Sequence, residues 1–301
     1  MKLNKAIRGL REIETKEPGR LPRIGFHAPI TGGLHNALLR SNELECQTVQ
    51  IFSRNPRGWK AKPLSDEEVE LFKRVRRKTK ISPVAIHANY LINLAAADED
   101  MLEKSRVSFR EELERGIRLK ADYLVVHPGS ARGACEADGI GRCAEILKWA
   151  AEGIDLSSIQ ILLENTAGQG ECIGHRFEHL REIMTACPGI SLGVCFDTAH
   201  AFTAGYDIRT AEGLEITIQA LDREVGTKKV RAIHFNDSRA GYYSRVDRHW
   251  HIGQGHIGHD ALRRIARHPK LSHGAFILET PYRKPQDNKP NIEALRSFID
   301  G

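Results

Sequence analysis

The sequence predicts an α/β protein built as a single (β/α)8 TIM barrel, and three observations carry that expectation. Eight short apolar, often β-branched runs recur every few tens of residues, and segments with helical spacing alternate with them. The first run leads into GFHAPITGG, which lacks the Gly-x-Gly-x-x-Gly phosphate turn expected of the competing open, doubly wound sheet. A chain of 301 residues has room for one large barrel core.

The elements follow in order. Residues 1–21 read as a charged, solvated extension ahead of a barrel domain expected over 22–301. RIGFHAP, from Arg23, is the first strand and LHNALLRSNEL the first helix. TVQIFSRN, from Thr48, precedes SDEEVELFKRVRRKTK, whose start is marked by a capping box of Ser65 and Glu68. PVAIHANY, from Pro83, precedes DEDMLEKSRVSFREELERGIRL, and YLVVHPGS, from Tyr123, precedes CAEILKWAAEGI. IQILLENT, from Ile159, precedes HRFEHLREIM, and SLGVCFDT, from Ser191, precedes AEGLEITIQALDREV. KVRAIHFND, from Lys229, precedes HDALRRIARH, and GAFILETP, from Gly274, precedes the closing NIEALRSFI. Near-continuous apolar character marks strands covered on both faces, as parallel strands are, and right-handed crossovers between them close a barrel.

Composition narrows the function classes. Charged residues make up 28% and hydrophobic ones 41%, as in an ordinary globular protein. The formal net charge of +6 favours polyanionic partners without requiring them. Six cysteines form no Cys-x-x-Cys pair, which argues against zinc fingers and small disulfide frameworks and fits a reducing cytoplasm. No apolar stretch approaches the roughly 18 residues that cross a bilayer, and the first residues lack a signal-peptide apolar region, so no membrane partner is expected.

The chemistry falls at the carboxyl ends of the strands, where His27, His87, His127, Glu164, Asp197, His234 and Glu279 each close or follow a run. In a barrel those ends converge on one rim. Imidazoles and carboxylates crowded into one cleft repel or neutralise each other unless divalent cations make the arrangement favourable. Asp197 and His200, three apart in FDTAH, add a ligand by a tight turn. Asp247 and His249, two apart in SRVDRHWHIGQG, project to one side of an extended loop after the seventh strand, with Arg245 and Arg248 beside them to receive a phosphate. Imidazole and carboxylate donors without cysteine suit zinc or manganese in a catalytic site. They exceed the roughly four donors of one tetrahedral ion and suffice for two or three ions sharing a bridging carboxylate. Clustered ions activate water and clamp both oxygens of an in-line displacement at phosphorus, so phosphate-ester hydrolysis is the expected reaction class.

The motifs IGFHAPITGGLHNAL, IFSRNPRGW, HANYLINLA, VVHPGS, LLENTAGQG, GVCFDTAHAFTAGYD, IHFNDS, SRVDRHWHIGQGHIG and FILETP, in order from about Pro22 to the C-terminus, resemble the endonuclease IV family of apurinic/apyrimidinic endonucleases. The resemblance implies a xylose isomerase-like TIM barrel holding three zinc ions, with manganese an alternative at one or more positions. By position, His87, His127 and Glu164 would hold one ion. Glu164, Asp197, His234 and Glu279 would hold a second, and His200, Asp247 and His249 a third. The implied activity is DNA repair: hydrolysis of the phosphodiester 5′ to an abasic site, leaving a 3′-hydroxyl and a 5′-deoxyribose phosphate, with removal of blocked 3′ ends. Glu164 would act as the bridge and Glu279 would orient the nucleophile, while the region around Asp247 steadies the leaving oxygen. Double-stranded DNA would be the partner of a monomeric cytoplasmic enzyme working on nucleoid DNA. Arg57, Tyr90 and Leu91 match residues that enter the duplex, where arginines and apolar wedges fill the gap beside a flipped nucleotide; Asn55 would contact phosphate. Ala199, where relatives often carry cysteine, and the Ala131-Arg132-Gly133 continuation depart from the pattern without touching an implied ligand.

Two rival readings remain at this point. Sugar isomerases and epimerases of the xylose isomerase type would use Glu164, Asp197, His234 and Glu279 but leave His200, Asp247, His249 and Arg57 unexplained. A metal-dependent DNA-binding protein without turnover would leave the water-activating donor set unused.

Overall fold

Each apolar run forms a strand in the computed structural model, which describes residues 22–300. The extension over 1–21 and Gly301 lie outside the described residues. The strands are β1 (Arg23–Phe26), β2 (Val49–Phe52), β3 (Val84–His87), β4 (Tyr123–Val126), β5 (Gln160–Glu164), β6 (Leu192–Asp197), β7 (Val230–His234) and β10 (Ala275–Leu278). A two-stranded ribbon, β8 (Asp237–Ser238) against β9 (His249–Trp250), stands on the loop after β7.

The eight strands form one parallel sheet in the order β1-β10-β7-β6-β5-β4-β3-β2. Its ends meet: the Ala28 N–H donates to the Gln50 carbonyl (2.8 Å) and the Gln47 N–H to the Ile24 carbonyl (2.9 Å). That seam depends on Gly25, where a Cβ would lie 2.0 Å from the Thr48 carbonyl oxygen. The open-sheet alternative is thereby excluded.

The helices are α1 (His35–Glu43), α2 (Asp66–Thr79), α3 (Glu99–Leu119), α4 (Glu136–Ala151), α5 (Phe177–Ala186), α6 (Thr198–Ala204), α7 (Ala211–Glu224), α8 (His259–Ala266) and α9 (Lys289–Asp300). The capping box at α2 forms, with Ser65 Oγ accepting from the Glu68 N–H and the Glu68 carboxylate from the Ser65 N–H. The ribbon and the helix α6 are both absent from the sequence reading. The helix has a simple reason to be missed. All seven of its residues are buried, so it has no polar face to produce a helical period.

Two apolar cores result. Between strands and helices lies a large one that includes Phe26, Phe72, Phe109, Phe177, Phe196 and Phe276. Inside the barrel lies a small one of Ala85, Val125, Leu162, Cys195, Ala232 and Ile277. Each inner residue sits two positions before His87, His127, Glu164, Asp197, His234 or Glu279. The two-residue period of a strand therefore turns those side chains inward, one step higher, at the mouth.

Candidate metal centre

The mouth gathers all nine candidate ligands. His87, Glu164, Asp197 and His234 are the last residues of their strands, and His127 and Glu279 directly follow theirs. Glu164 is central and fully buried. Its Oε2 lies 3.1 Å from His87 Nε2 and 3.2 Å from His127 Nε2, while its Oε1 lies 2.9 Å from His234 Nδ1 and 3.2 Å from His200 Nδ1. Three donor groups overlap there: His87, His127 and Glu164; then Glu164, Asp197, His234 and Glu279; then Asp197, His200 and His249. Asp247 joins the last, with Oδ2 3.2 Å from His200 Nε2 and Oδ1 3.5 Å from His249 Nε2. Asp197 thus stands between two groups, where the sequence reading gave it to one; its Oδ2 is 3.4 Å from His249 Nε2 and 3.9 Å from His234 Nδ1.

The donors are prepared to hold cations. A ring nitrogen that donates outward to a carbonyl must carry the proton, which leaves the other nitrogen's lone pair free. His87 Nδ1 donates to the Ala88 carbonyl (2.7 Å) and His200 Nδ1 to the Asn165 carbonyl (2.9 Å), so both turn Nε2 inward. Nε2 of His200 and of His249 are buried without a hydrogen-bond partner, which suits atoms meant for an ion. Burial would raise the Glu164 carboxyl, yet the imidazoles of His234 and His127 hold it well below the usual range. Glu279 and Asp247 are likewise raised by burial but end low, through His234 and His200 respectively. Burial works against charge on His200 and His234, but Asp197 and Asp247 beside the first, and Cys195, Glu164 and Glu279 beside the second, lift both well above the ordinary imidazole range. The cluster therefore attracts positive charge. Cys195, which groups with Glu164 and His234 beneath the mouth, has its thiol pushed up by burial to about 12.

Residues outside the proposed set fix this geometry. Asn236 donates from Nδ2 to Asp197 Oδ2 (2.9 Å) and accepts the Glu279 N–H at Oδ1 (2.8 Å). The loop bearing Asp247 and His249 is clamped at its base by buried Asp237, whose carboxylate accepts the N–H groups of Ser238 (2.7 Å), Gly255 (2.9 Å) and Ile257 (2.9 Å). Gly255 is required there, because a Cβ would meet the Ser238 carbonyl oxygen at 2.3 Å. Both clamps stand in HFND, but nothing local marks an Asn or Asp as structural. His27, left unassigned by its sequence, lies behind Glu279, with Nδ1 3.0 Å from Oε1.

The candidate DNA-contacting residues occupy two neighbouring rim loops. Asn55 and Arg57 are exposed after β2, with the Arg57 N–H donating to Asn55 Oδ1 (3.1 Å). Tyr90, 61% exposed, and half-buried Leu91 follow β3. The loops are tied by the Tyr90 N–H donating to the Pro56 carbonyl (3.1 Å), and Phe52 packs between Tyr90 and the rings of His27 and His87. Buried Arg54 anchors the first loop to α3 through Glu112 (2.8 Å) and Glu111 (2.8 Å).

A second imidazole cluster lies apart, where Glu136 faces His175 Nε2 (3.6 Å) and His179 Nε2 (3.3 Å). His179 Nδ1 accepts the Gly174 N–H (3.1 Å), which puts the proton of the neutral ring on Nε2. That atom carries the hydrogen and has no lone pair for a metal.

Comparison with known proteins agrees with this fold. The family model of xylose isomerase-like TIM barrels matches residues 38–300. The probable endonuclease 4 of Chloroflexus aggregans is 45% identical over 282 residues, covering 93% of this chain and 98% of that protein. That of Solibacter usitatus is 45% identical over 279 residues, 92% and 96% of the two chains. The crystal structure of endonuclease IV from Thermus thermophilus superposes with a TM-score of 0.82 at 39% identity, covering 92% of this chain and 98% of that one. A D-tagatose 3-epimerase-like protein superposes with a TM-score of 0.69 at 20% identity over 92% and 96% of the two chains, a likeness of fold alone.

Proposed function

The chain belongs to the endonuclease IV family of metal-dependent DNA endonucleases, and from that premise we propose that it is a DNA-repair hydrolase cutting 5′ to abasic sites and clearing blocked 3′ ends. One observation supports this reading above others: nine imidazole and carboxylate side chains from six strand ends, helix α6 and one long loop face a common mouth. Three zinc ions, or manganese at some positions, fit the three overlapping donor groups. Divalent ions there would supply Lewis acidity, lowering the pKa of water and offsetting charge at the phosphate.

The chain's own residues do the rest. Glu164, with one oxygen toward each of two groups, joins them as a bridge. Glu279, whose Oε2 faces the mouth beside His234 (3.2 Å), is placed to align the attacking water. Asp247, its side chain 42% exposed at the open side, would steady the leaving oxygen, and Arg245 and Arg248 on the same loop are suited to phosphate. Arg57, Tyr90 and Leu91 would enter the duplex and fill the space left by an extruded abasic nucleotide, while Asn55 holds phosphate. Because every donor comes from one chain, a monomer suffices; the substrate places its work on cytoplasmic nucleoid DNA. Residues 22–301 form the catalytic domain in this reading.

The deciding experiment uses a duplex with one tetrahydrofuran abasic analogue and no added magnesium. Nicking on the 5′ side by protein carrying about three metal equivalents is expected. An intact strand, or active protein with a single ion, would overturn the proposal; sugar isomerisation by the same preparation would favour the epimerase-like alternative.

A further inference from the structure

Six of the eight strands turn a small or apolar side chain into the barrel beneath the mouth, but β2 turns in Gln50, which is 0% exposed. A buried carboxamide without partners is costly, so its contacts must account for it. Gln50 Oε1 lies 2.8 Å from His234 Nε2 and Gln50 Nε2 donates to Glu279 Oε1 (2.7 Å), while His27 Nδ1 lies 3.0 Å from both Gln50 Nε2 and Glu279 Oε1. The amide's NH2 and its carbonyl oxygen are both used. The orientation is set by chemistry: turned over, the amide would press its oxygen against the Glu279 carboxylate.

We propose that Gln50 is a positioning residue for the metal centre, fixing which nitrogen of His234 faces it and holding Glu279 alongside. As acceptor, the Gln50 carbonyl keeps the His234 proton on Nε2, and the Nδ1 lone pair is thereby turned toward the mouth, where the carboxylates of Glu164, Asp197 and Glu279 also face. As donor, the amide pins Glu279 Oε1 and leaves Oε2 toward the mouth, 3.2 Å from His234 Nδ1. One side chain thus aligns two donors from strands β7 and β10. His87 and His200, oriented by backbone carbonyls, need no such partner.

The inference rests on reading the mouth as a metal centre, and its test separates the two. Zinc-loaded wild type, Gln50→Met and Gln50→Glu would be compared by zinc release to a chelator and by long-range 1H–15N spectra of 15N-histidine-labelled protein, with thermal denaturation confirming that each folds. Methionine keeps the volume and removes donor and acceptor. It is expected to speed loss of one zinc equivalent by 10- to 100-fold, a range typical of lost outer hydrogen bonds to metal ligands, and to speed exchange of the His234 Nε2–H at least tenfold. Glutamate keeps the acceptor for His234 but opposes Glu279, so it should keep the slow Nε2–H while still loosening zinc. A Gln50→Met protein with wild-type zinc release and a slowly exchanging Nε2–H would overturn the positioning role. Wild type that holds zinc yet leaves abasic DNA intact would sink the nuclease reading and not this one; wild type that takes up no zinc would sink both.

Discussion

The mouth is built in two ways. Donors at strand ends, such as Glu164 and His234, are fully buried and seated on the barrel interior. Their positions follow from the sheet register and the two-residue period. Asp247 and His249 instead ride a loop that runs from β7 to α8, and their positions depend on a clamp, the Asp237 carboxylate gathering backbone N–H groups from both ends of the loop. The β2 loop with Asn55 and Arg57 is tied in the same manner by Arg54, Glu111 and Glu112. A strand brings a side chain to the mouth by its register, and contacts such as those of Gln50 and Asn236 then orient it. A loop delivers one only where a buried polar contact offsets the entropy of holding it.

The largest expected effect probes the strand-end side. Glu164→Ala removes an oxygen from each of two donor groups, and a loss of several kcal/mol of transition-state stabilisation corresponds to about a thousandfold or more in cleavage rate. Abasic-duplex affinity should fall far less. Rate and binding measured together test this; a variant retaining a tenth of wild-type rate would mean that the bridge is not shared.

An intermediate effect separates the two constructions. Asp237→Ala leaves every donor in place and frees the loop, so one metal equivalent should be lost from the His200, Asp247 and His249 group while the others stay. Cleavage should drop about 10- to 100-fold, as for lost outer contacts of metal ligands. Elemental analysis beside rate data is the check, and a full metal complement with normal rate would show that the loop holds itself. The smallest effect concerns recognition only. Arg57→Ala should weaken abasic-duplex binding about tenfold and lower the slope of affinity against salt by about one, with metal content unchanged. Identical salt slopes for the two proteins would remove Arg57 from the contact set.

How much was legible follows the same division. His87, His127 and Glu164 announce themselves because a polar, ligand-type residue ends an apolar run. Asp247 and His249 announce a shared direction, but nothing in SRVDRHWH says how the loop folds back. The helix α6, buried on every side, carries no amphipathic signal, so the turn expected between Asp197 and His200 is a helix start, with Asp197 accepting the His200 N–H (2.7 Å) as its cap. Gln50 and Asp237 have no local signature, since their partners lie 229 and up to 21 residues away in the chain.

By itself the sequence determined the alternation of strands and helices, the eightfold count and the chemical identity of the donors, because these depend on periodicity and residue type over short windows. Only the tertiary structure decided that Asp197 stands between two donor groups, that a buried glutamine sets the face of His234, and that two loops are pinned over the mouth. Those are contacts between distant segments, and a hydrogen bond across a closed barrel leaves no periodic trace along the chain that makes it.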